Sequence, residues 1–199
     1  MSMITIISAL KEEIRPLLET LTVKQKLKTG SGTLYVTDEY HFLRTGVGLR
    51  HAEDVLNSYL SSYEPSEIIN IGTAGSLKHD HRSGDIFYIG KIYYKTRGQF
   101  IDLPSELNKT EKAPAVLLTV DQPVMNKSDR EASRKRFNAG LVDMEAYALA
   151  KICFKNNIKF TSYKIVSDLA DENTEGEFMA NYKVLSKKLA EYILKILRI

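Results

Sequence analysis

The feature that most constrains the fold is an alternation. Short runs rich in β-branched residues are followed by stretches whose apolar residues recur at helical spacing. Residues 3–7 form a continuous apolar and β-branched run, the pattern of a strand buried on both faces. Leu10, Ile14, Leu17, Leu18 and Leu21 then keep helical spacing, and Pro16 predicts a helix starting just before it, because only a first turn tolerates a missing amide. Residues 33–36 and Tyr40–Arg44 read as a pair of strands, and residues 67–71, 85–89, 115–120 and 159–166 as core strands. Ala52, Val55, Leu56, Tyr59 and Leu60 mark an amphipathic helix stopped by Pro65, and Ala146, Leu149, Ala150 and Cys153 line another. A last helix carries Phe178, Tyr182, Leu185, Leu189, Ile193 and Ile196, with Phe178 as its first core position. From Tyr94 to Pro114 the pattern fails, and that stretch reads as a polar surface loop. No linker or repeat divides the chain. The expectation is one α/β domain over residues 1–199, with a central mixed, twisted sheet flanked by helices.

Composition removes several classes of function. A formal net charge of +3, with Lys and Arg scattered, is too small a surplus to imply nucleic acid. The densest basic run, residues 130–136, also contains Glu131 and reads as a solvated helix face. Cys153 is the single cysteine, so no disulfide can form within the chain, and its apolar helical setting reads as a buried, inert thiol. No apolar stretch has the length of a membrane span, and the first ten residues lack the features of a signal peptide. The expectation is a reducing, cytoplasmic setting.

Chemistry is expected beyond the carboxyl ends of strands, where α/β sheets collect ligands. Glu12 and Glu13 follow the first strand, and the small-residue turn Asn70-Ile-Gly-Thr-Ala-Gly-Ser76 follows another. The exposed amides and hydroxyls of that turn, Thr73 and Gly75 among them, suit a sugar or an anion. Asp143 and Glu145 stand between an apolar strand and a helix, and Ser167 and Asp168 end the run from 159. Each also has a plain reading. Glu12 and Glu13 favour a helix N-terminus, Asp143 and Glu145 cap the helix they precede, and Asp168 caps a turn.

Taken together, these segments resemble the methylthioadenosine/S-adenosylhomocysteine nucleosidases of the nucleoside phosphorylase superfamily. The likeness covers about two thirds of the chain in five ordered motifs: around Glu13, at Thr45-Gly-Val-Gly48, from Asn70 to Ile86, at Val142-Asp-Met-Glu-Ala146, and at Val166-Ser-Asp168. It implies a nucleoside phosphorylase-like fold and hydrolysis of a nucleoside's N-glycosidic bond, with no cofactor and no metal. Carried over by position, it implies Glu13 as the water-activating base and Asp168 as the acid for the leaving purine. Glu145 would bind the ribose hydroxyls, Met144 would pack under the sugar, and Ser167 would help set Asp168. Leu10 and Phe178 fall near positions that meet an apolar 5′ substituent. The partner implied is a small nucleoside, in a homodimer or other homo-oligomer, away from nucleic acid and membrane.

These residue types suit the reaction. An acid on one face and a base on the other are the requirement for glycoside hydrolysis with inversion. Burial would have to raise the affinity of Asp168 for its proton. Two departures matter. Residues 119–124 contain Asp121 but not the stacking aromatic usual in the family, as in branches resembling hopanoid-pathway nucleosidase-like proteins, and Lys164 stands where an arginine is usual. A phosphorylase remains the alternative, with Arg15, Arg44 and Arg50 able to approach the sugar side, although Asn70 and Glu13 replace expected phosphate-binding arginines. A non-catalytic nucleoside-binding module on the same scaffold is another. A dinucleotide-binding domain lacks its third glycine after Gly46 and Gly48.

Overall fold

The computed structural model describes residues 3–104 and 113–198. Its elements run β1 (Ile4–Ser8), α1 (Lys11–Leu18), β2 (Gln25–Thr29), β3 (Gly32–Val36), β4 (Tyr40–Arg44), α2 (Leu49–Leu60), β5 (Glu67–Ser76), β6 (Ile86–Tyr94), β7 (Phe100–Asp102), β8 (Ala115–Thr119), α3 (Lys127–Phe137), β9 (Leu141–Asp143), α4 (Ala146–Lys155), β10 (Lys159–Asp168) and α5 (Thr174–Leu197). The expected mixed sheet flanked by helices is present, and β5 is its hub. Along β5, residues 67–70 pair in parallel with β1, residues 67–75 in parallel with β10, and Gly75 and Ser76 antiparallel with β9. The pairings β5–β10, β10–β6, β6–β8, β8–β9 and β9–β5 return to their start, so half the sheet curls into a closed circuit from which β1, β4, β3 and β2 extend. Local sequence patterns do not disclose that closure.

The closure positions the site. β1 leaves β5 after Asn70, and β9 joins the same strand only at Gly75. The backbone of Ile71, Gly72, Thr73 and Ala74 faces the opening between them and lines a cavity. Side-chain alternation fills both faces of the extended half. Ile7, Leu34 and Leu43 join the cluster under α2 and α4, while Ile6, Tyr35 and Phe42 join the cluster under α1 and α5. Burial on both faces is why β1 reads as a continuous run rather than an alternating one.

Four local expectations change. Pro16 lies at the sixth position of α1 rather than in its first turn, at the cost of one helical hydrogen bond. The start is fixed earlier because Glu13 reaches back to the Leu10 amide, while Ile14 and Leu17 pack in the cluster with α5. The stretch after Tyr94 is not all loop. β7 pairs antiparallel with β6, and Gly98 makes the turn at φ 62°. The rest of that expected loop, residues 105–112, lies outside the described residues. β2 gives no apolar signal because it is an edge strand with four of its five residues exposed. α5 begins at Thr174, and its buried positions start at Leu185, so Phe178 is not a core residue.

Cys153 is fully buried, and burial pushes its thiol up to about 12, as expected of an inert side chain. No helix of the described residues is long and apolar enough to cross a membrane. Within the extended half, the buried Tyr59 hydroxyl lies 2.7 Å from Thr5 Oγ1 and 2.8 Å from His41 Nδ1. Tyr59→Phe leaves both partners buried without it. The variant is expected to lose about 1–3 kcal/mol in urea unfolding; an unchanged midpoint would contradict this.

Candidate active site

The cavity has a volume of about 500 Å3 and gathers the ends of β1, β5, β8, β9 and β10 with the first turns of α1 and α5. All eight expected site residues line it: Glu13, Thr73, Gly75, Met144, Glu145, Ser167, Asp168 and Phe178. Leu10 does too. They approach from four separate stretches of chain, and the fold brings them to one place.

Glu13 stands at the third position of α1 and is buried. Its Oε2 accepts the Leu10 amide at 3.0 Å, which is the capping role expected of a first-turn acid. Its Oε1 accepts both the amide (2.8 Å) and the hydroxyl (3.0 Å) of Thr73, on the open edge of β5. Burial raises the proton affinity of Glu13 more than these bonds and nearby Lys164 lower it. Three donors therefore fix the direction of this desolvated carboxyl group.

Asp143 and Glu145 divide the roles that the sequence left open. Asp143 caps α4, its Oδ2 accepting the Ala146 amide at 3.0 Å, while Oδ1 accepts the Thr119 hydroxyl at 2.7 Å. Its Oδ2 also meets Lys164 Nζ at 2.9 Å, in a pair buried on both sides. Glu145 accepts the Gly48 amide at 2.7 Å through Oε1. Burial first, and the neighbouring Asp143 next, push Glu145 up to about 7. Burial pulls Lys164 down, yet Asp143, Glu145 and Glu13 together hold it above the ordinary lysine value. One ammonium serves several carboxylates.

Asp168 ends β10. Its Oδ1 accepts the Ala170 amide at 2.9 Å and the Thr174 hydroxyl at 3.2 Å, and its Oδ2 accepts the Ser167 hydroxyl at 2.6 Å. One side chain therefore caps the turn and lines the cavity. Gly75 is required by this closeness, since a Cβ there would lie 2.9 Å from Asp168 Oδ1. Phe178 stacks on Tyr182 and faces the cavity, which corrects its assignment to the core. No arginine lines the cavity among the described residues. Arg15 pairs with Glu19 on the surface, Arg44 binds the Thr33 hydroxyl, and Arg50 is exposed. Asn70 ties strands together instead, donating to Ile7 O and accepting from the Ser162 hydroxyl. Asp121 turns to Tyr94 and Thr96, so the wall next to it is Val120, Pro123, Val124 and Met125.

The resemblance places Lys164 beside the acids, but its direct pairing with Asp143 and the Gly48 amide on Glu145 are long-range contacts that no local pattern shows. Two outcomes are expected. Lys164→Met leaves Asp143 buried and uncompensated and should cost about 3–5 kcal/mol in urea unfolding, most of it recovered by adding Asp143→Asn. The second concerns pH. Folding raises the pKa of Glu145 from 4.5 to about 7, so its contribution to stability is full below 4.5 and is lost as pH rises toward 7. Glu145→Gln should flatten the decline in unfolding midpoint across that window, and an unaltered slope would contradict the burial of this charge.

The profile of the phosphorylase superfamily matches residues 3–115 and 110–198. A 5′-methylthioadenosine/S-adenosylhomocysteine nucleosidase of Buchnera aphidicola subsp. Acyrthosiphon pisum is 26% identical over 224 residues, covering 98% of this chain and 97% of the relative. Among solved structures, the Helicobacter pylori 5′-methylthioadenosine/S-adenosylhomocysteine nucleosidase bound to butyl-thio-DADMe-Immucillin-A superposes with a TM-score of 0.91 at 21% identity, over 100% of this chain and 98% of that one. The futalosine hydrolase of Helicobacter pylori strain 26695 gives a TM-score of 0.90 at 21% identity, over 99% and 97%. The two structures share the fold, and the profile covers nearly every residue of the chain. The protein belongs to the phosphorylase superfamily.

Proposed function

We propose that the protein is a nucleosidase that hydrolyses the N-glycosidic bond of a purine nucleoside, of adenosyl type. The observation that carries this reading is the convergence of three buried acids, Glu13, Glu145 and Asp168, on one cavity. Cleavage needs a base that leaves with a proton, a sugar that bears positive charge, and a nucleophile on its far side. Asp168, oriented by Ser167, gives a proton or a strong hydrogen bond to a purine ring nitrogen. Glu145 grips the ribose hydroxyls, and its negative charge stabilises the oxocarbenium-like sugar as that charge develops. Met144 packs beneath the sugar, and Thr73 and Gly75 border it. Glu13, held by Thr73 and Leu10, orients and deprotonates the water. The wall of Val120, Pro123 and Val124, with Phe178, takes the place of a stacking aromatic for apolar parts of the substrate.

Water is favoured over phosphate as the acceptor. Among the described residues the lining carboxyl groups include Glu13, Asp143, Glu145 and Asp168, against a single lining cation, Lys164, already paired with Asp143. A phosphate entering that field meets like charge without an arginine fork. Residues 1–199 acting as one domain, in a homodimer or other homo-oligomer that takes a small nucleoside, complete the proposal. Mass measurement in solution tests the assembly.

The test is incubation with a panel of nucleosides, with and without phosphate, reading free sugar against sugar 1-phosphate. Free sugar in both conditions is expected. Sugar 1-phosphate would move the reading to phosphorolysis, and tight binding without turnover to a binding module. Asp168→Asn and Glu13→Gln should each lower release of free base by about 10²–10⁴-fold without changing the unfolding midpoint by more than a few degrees. Wild-type turnover in either variant would remove that residue from the chemistry.

A further inference from the structure

Arg130 is the arginine of α3 that turns inward. It is 3% exposed and shares its helix face with the buried Ser133 and Phe137. Its Nη1 donates to the Leu169 carbonyl at 2.9 Å and lies 3.6 Å from Asp171 Oδ2. Its Nη2 stands 3.4 Å from the His79 ring, and its buried Nε makes no hydrogen bond among the described residues. The guanidinium thus spends its best-formed bond on one backbone oxygen, immediately after Asp168.

The Leu169 carbonyl and the Ala170 amide belong to one rigid peptide plane, and a trans peptide points the two groups in opposite directions. Arg130 holds the oxygen end, and the amide end donates to Asp168 Oδ1 at 2.9 Å. Ala170 has φ 49°, a left-handed conformation that an alanine enters only when its surroundings impose it. Turning this plane over would lose both bonds at once. Hydrogen bonds in series also polarise one another, so a cation on the oxygen makes the amide a stronger donor to the carboxyl. α5 braces the same turn, through Glu177 on the Leu169 amide and Thr174 on the Asp171 amide.

We propose that Arg130 is a positioning residue for the reaction: through the Leu169–Ala170 peptide it fixes the direction in which the Asp168 carboxyl meets the departing base. The inference rests on Asp168 being the acid, and the experiment separates the two ideas. Steady-state kinetics with 5′-methylthioadenosine are measured for Arg130→Gln, Arg130→Lys, Asp168→Asn and the double variant Arg130→Gln/Asp168→Asn, with the fold of each checked by thermal unfolding. Arg130→Gln should lower kcat by about 10–100-fold with KM changed by less than about threefold, and Arg130→Lys should recover part of the loss. In the Asp168→Asn background the Gln substitution should cost less than about twofold more, because the group it aims is gone. Should Arg130→Gln not fold, Arg130→Lys and the double variant Arg130→Lys/Asp168→Asn carry the same comparison, the smaller loss vanishing when Asp168 is Asn. Multiplicative losses, or a rise in KM equal to the fall in kcat, would reduce Arg130 to a structural anchor. A crippled Asp168→Asn with wild-type kinetics in both Arg130 variants overturns this inference alone; full activity in Asp168→Asn overturns both.

Discussion

Taking carboxylates out of water is the constraint around which this end of the molecule is built. Glu13, Asp143, Glu145 and Asp168 are all buried, and each charge removed from water would cost several kcal/mol if unmet. The chain answers mostly with donors fixed by its fold, and with one counter-charge on Lys164. Amides of Leu10, Gly48, Thr73, Ala146 and Ala170 each reach one of these carboxyl groups. The one lining ammonium among the described residues, on Lys164, is tied to Asp143 and lies within electrostatic reach of Glu145 and Glu13. The result is a pocket in which the acids stay in place, and in which burial makes Glu13 and Glu145 hold their protons more tightly than in water.

The sheet makes this arrangement possible by parting its strands. β1 and β9 share one edge of β5 at different levels, and the unclaimed stretch between them supplies the Thr73 amide to Glu13. Small residues keep that stretch accessible. A Cβ at Gly72 would lie 3.1 Å from Glu13 Oε1, so a larger residue there would press the carboxyl group back by a few tenths of an ångström. Closing the circuit through β10, β6, β8 and β9 places Asp143 and Asp168, ends of two strands on different sides of β5, against the same cavity.

What the sequence made legible was whatever rests on local pattern. β1, β4, α2 and β5 follow from short continuous or periodic apolar runs, and Glu13, Glu145 and Asp168, each open to a plain capping reading alone, are singled out by ordered motifs that resemble a known family. The plain reading of Glu13 and Asp168 does not exclude a place in the site, for each caps a local turn with one oxygen while facing the cavity. What stayed hidden depends on contacts across many residues. Arg130 sits in a run that reads as a solvated helix face, and only the spacing of Arg130, Ser133 and Phe137 hints that this side is buried. Phe178 continues the apolar spacing of α5, yet the helix reaches past the core there and its ring borders the cavity. Pro16 is tolerated mid-helix because burial of Ile14 and Leu17 outweighs one lost backbone bond, a balance that local rules do not see.

The most direct measurement is a crystal structure with a non-hydrolysable adenosyl analogue bound. Expected are ribose hydroxyls within hydrogen-bonding distance of Glu145, a ring nitrogen at the Asp168 carboxyl, and an ordered water on Glu13 across the sugar from the base. A ligand seated elsewhere, or one whose glycosidic carbon lies away from both Glu13 and Glu145, would contradict the division of labour among the three acids.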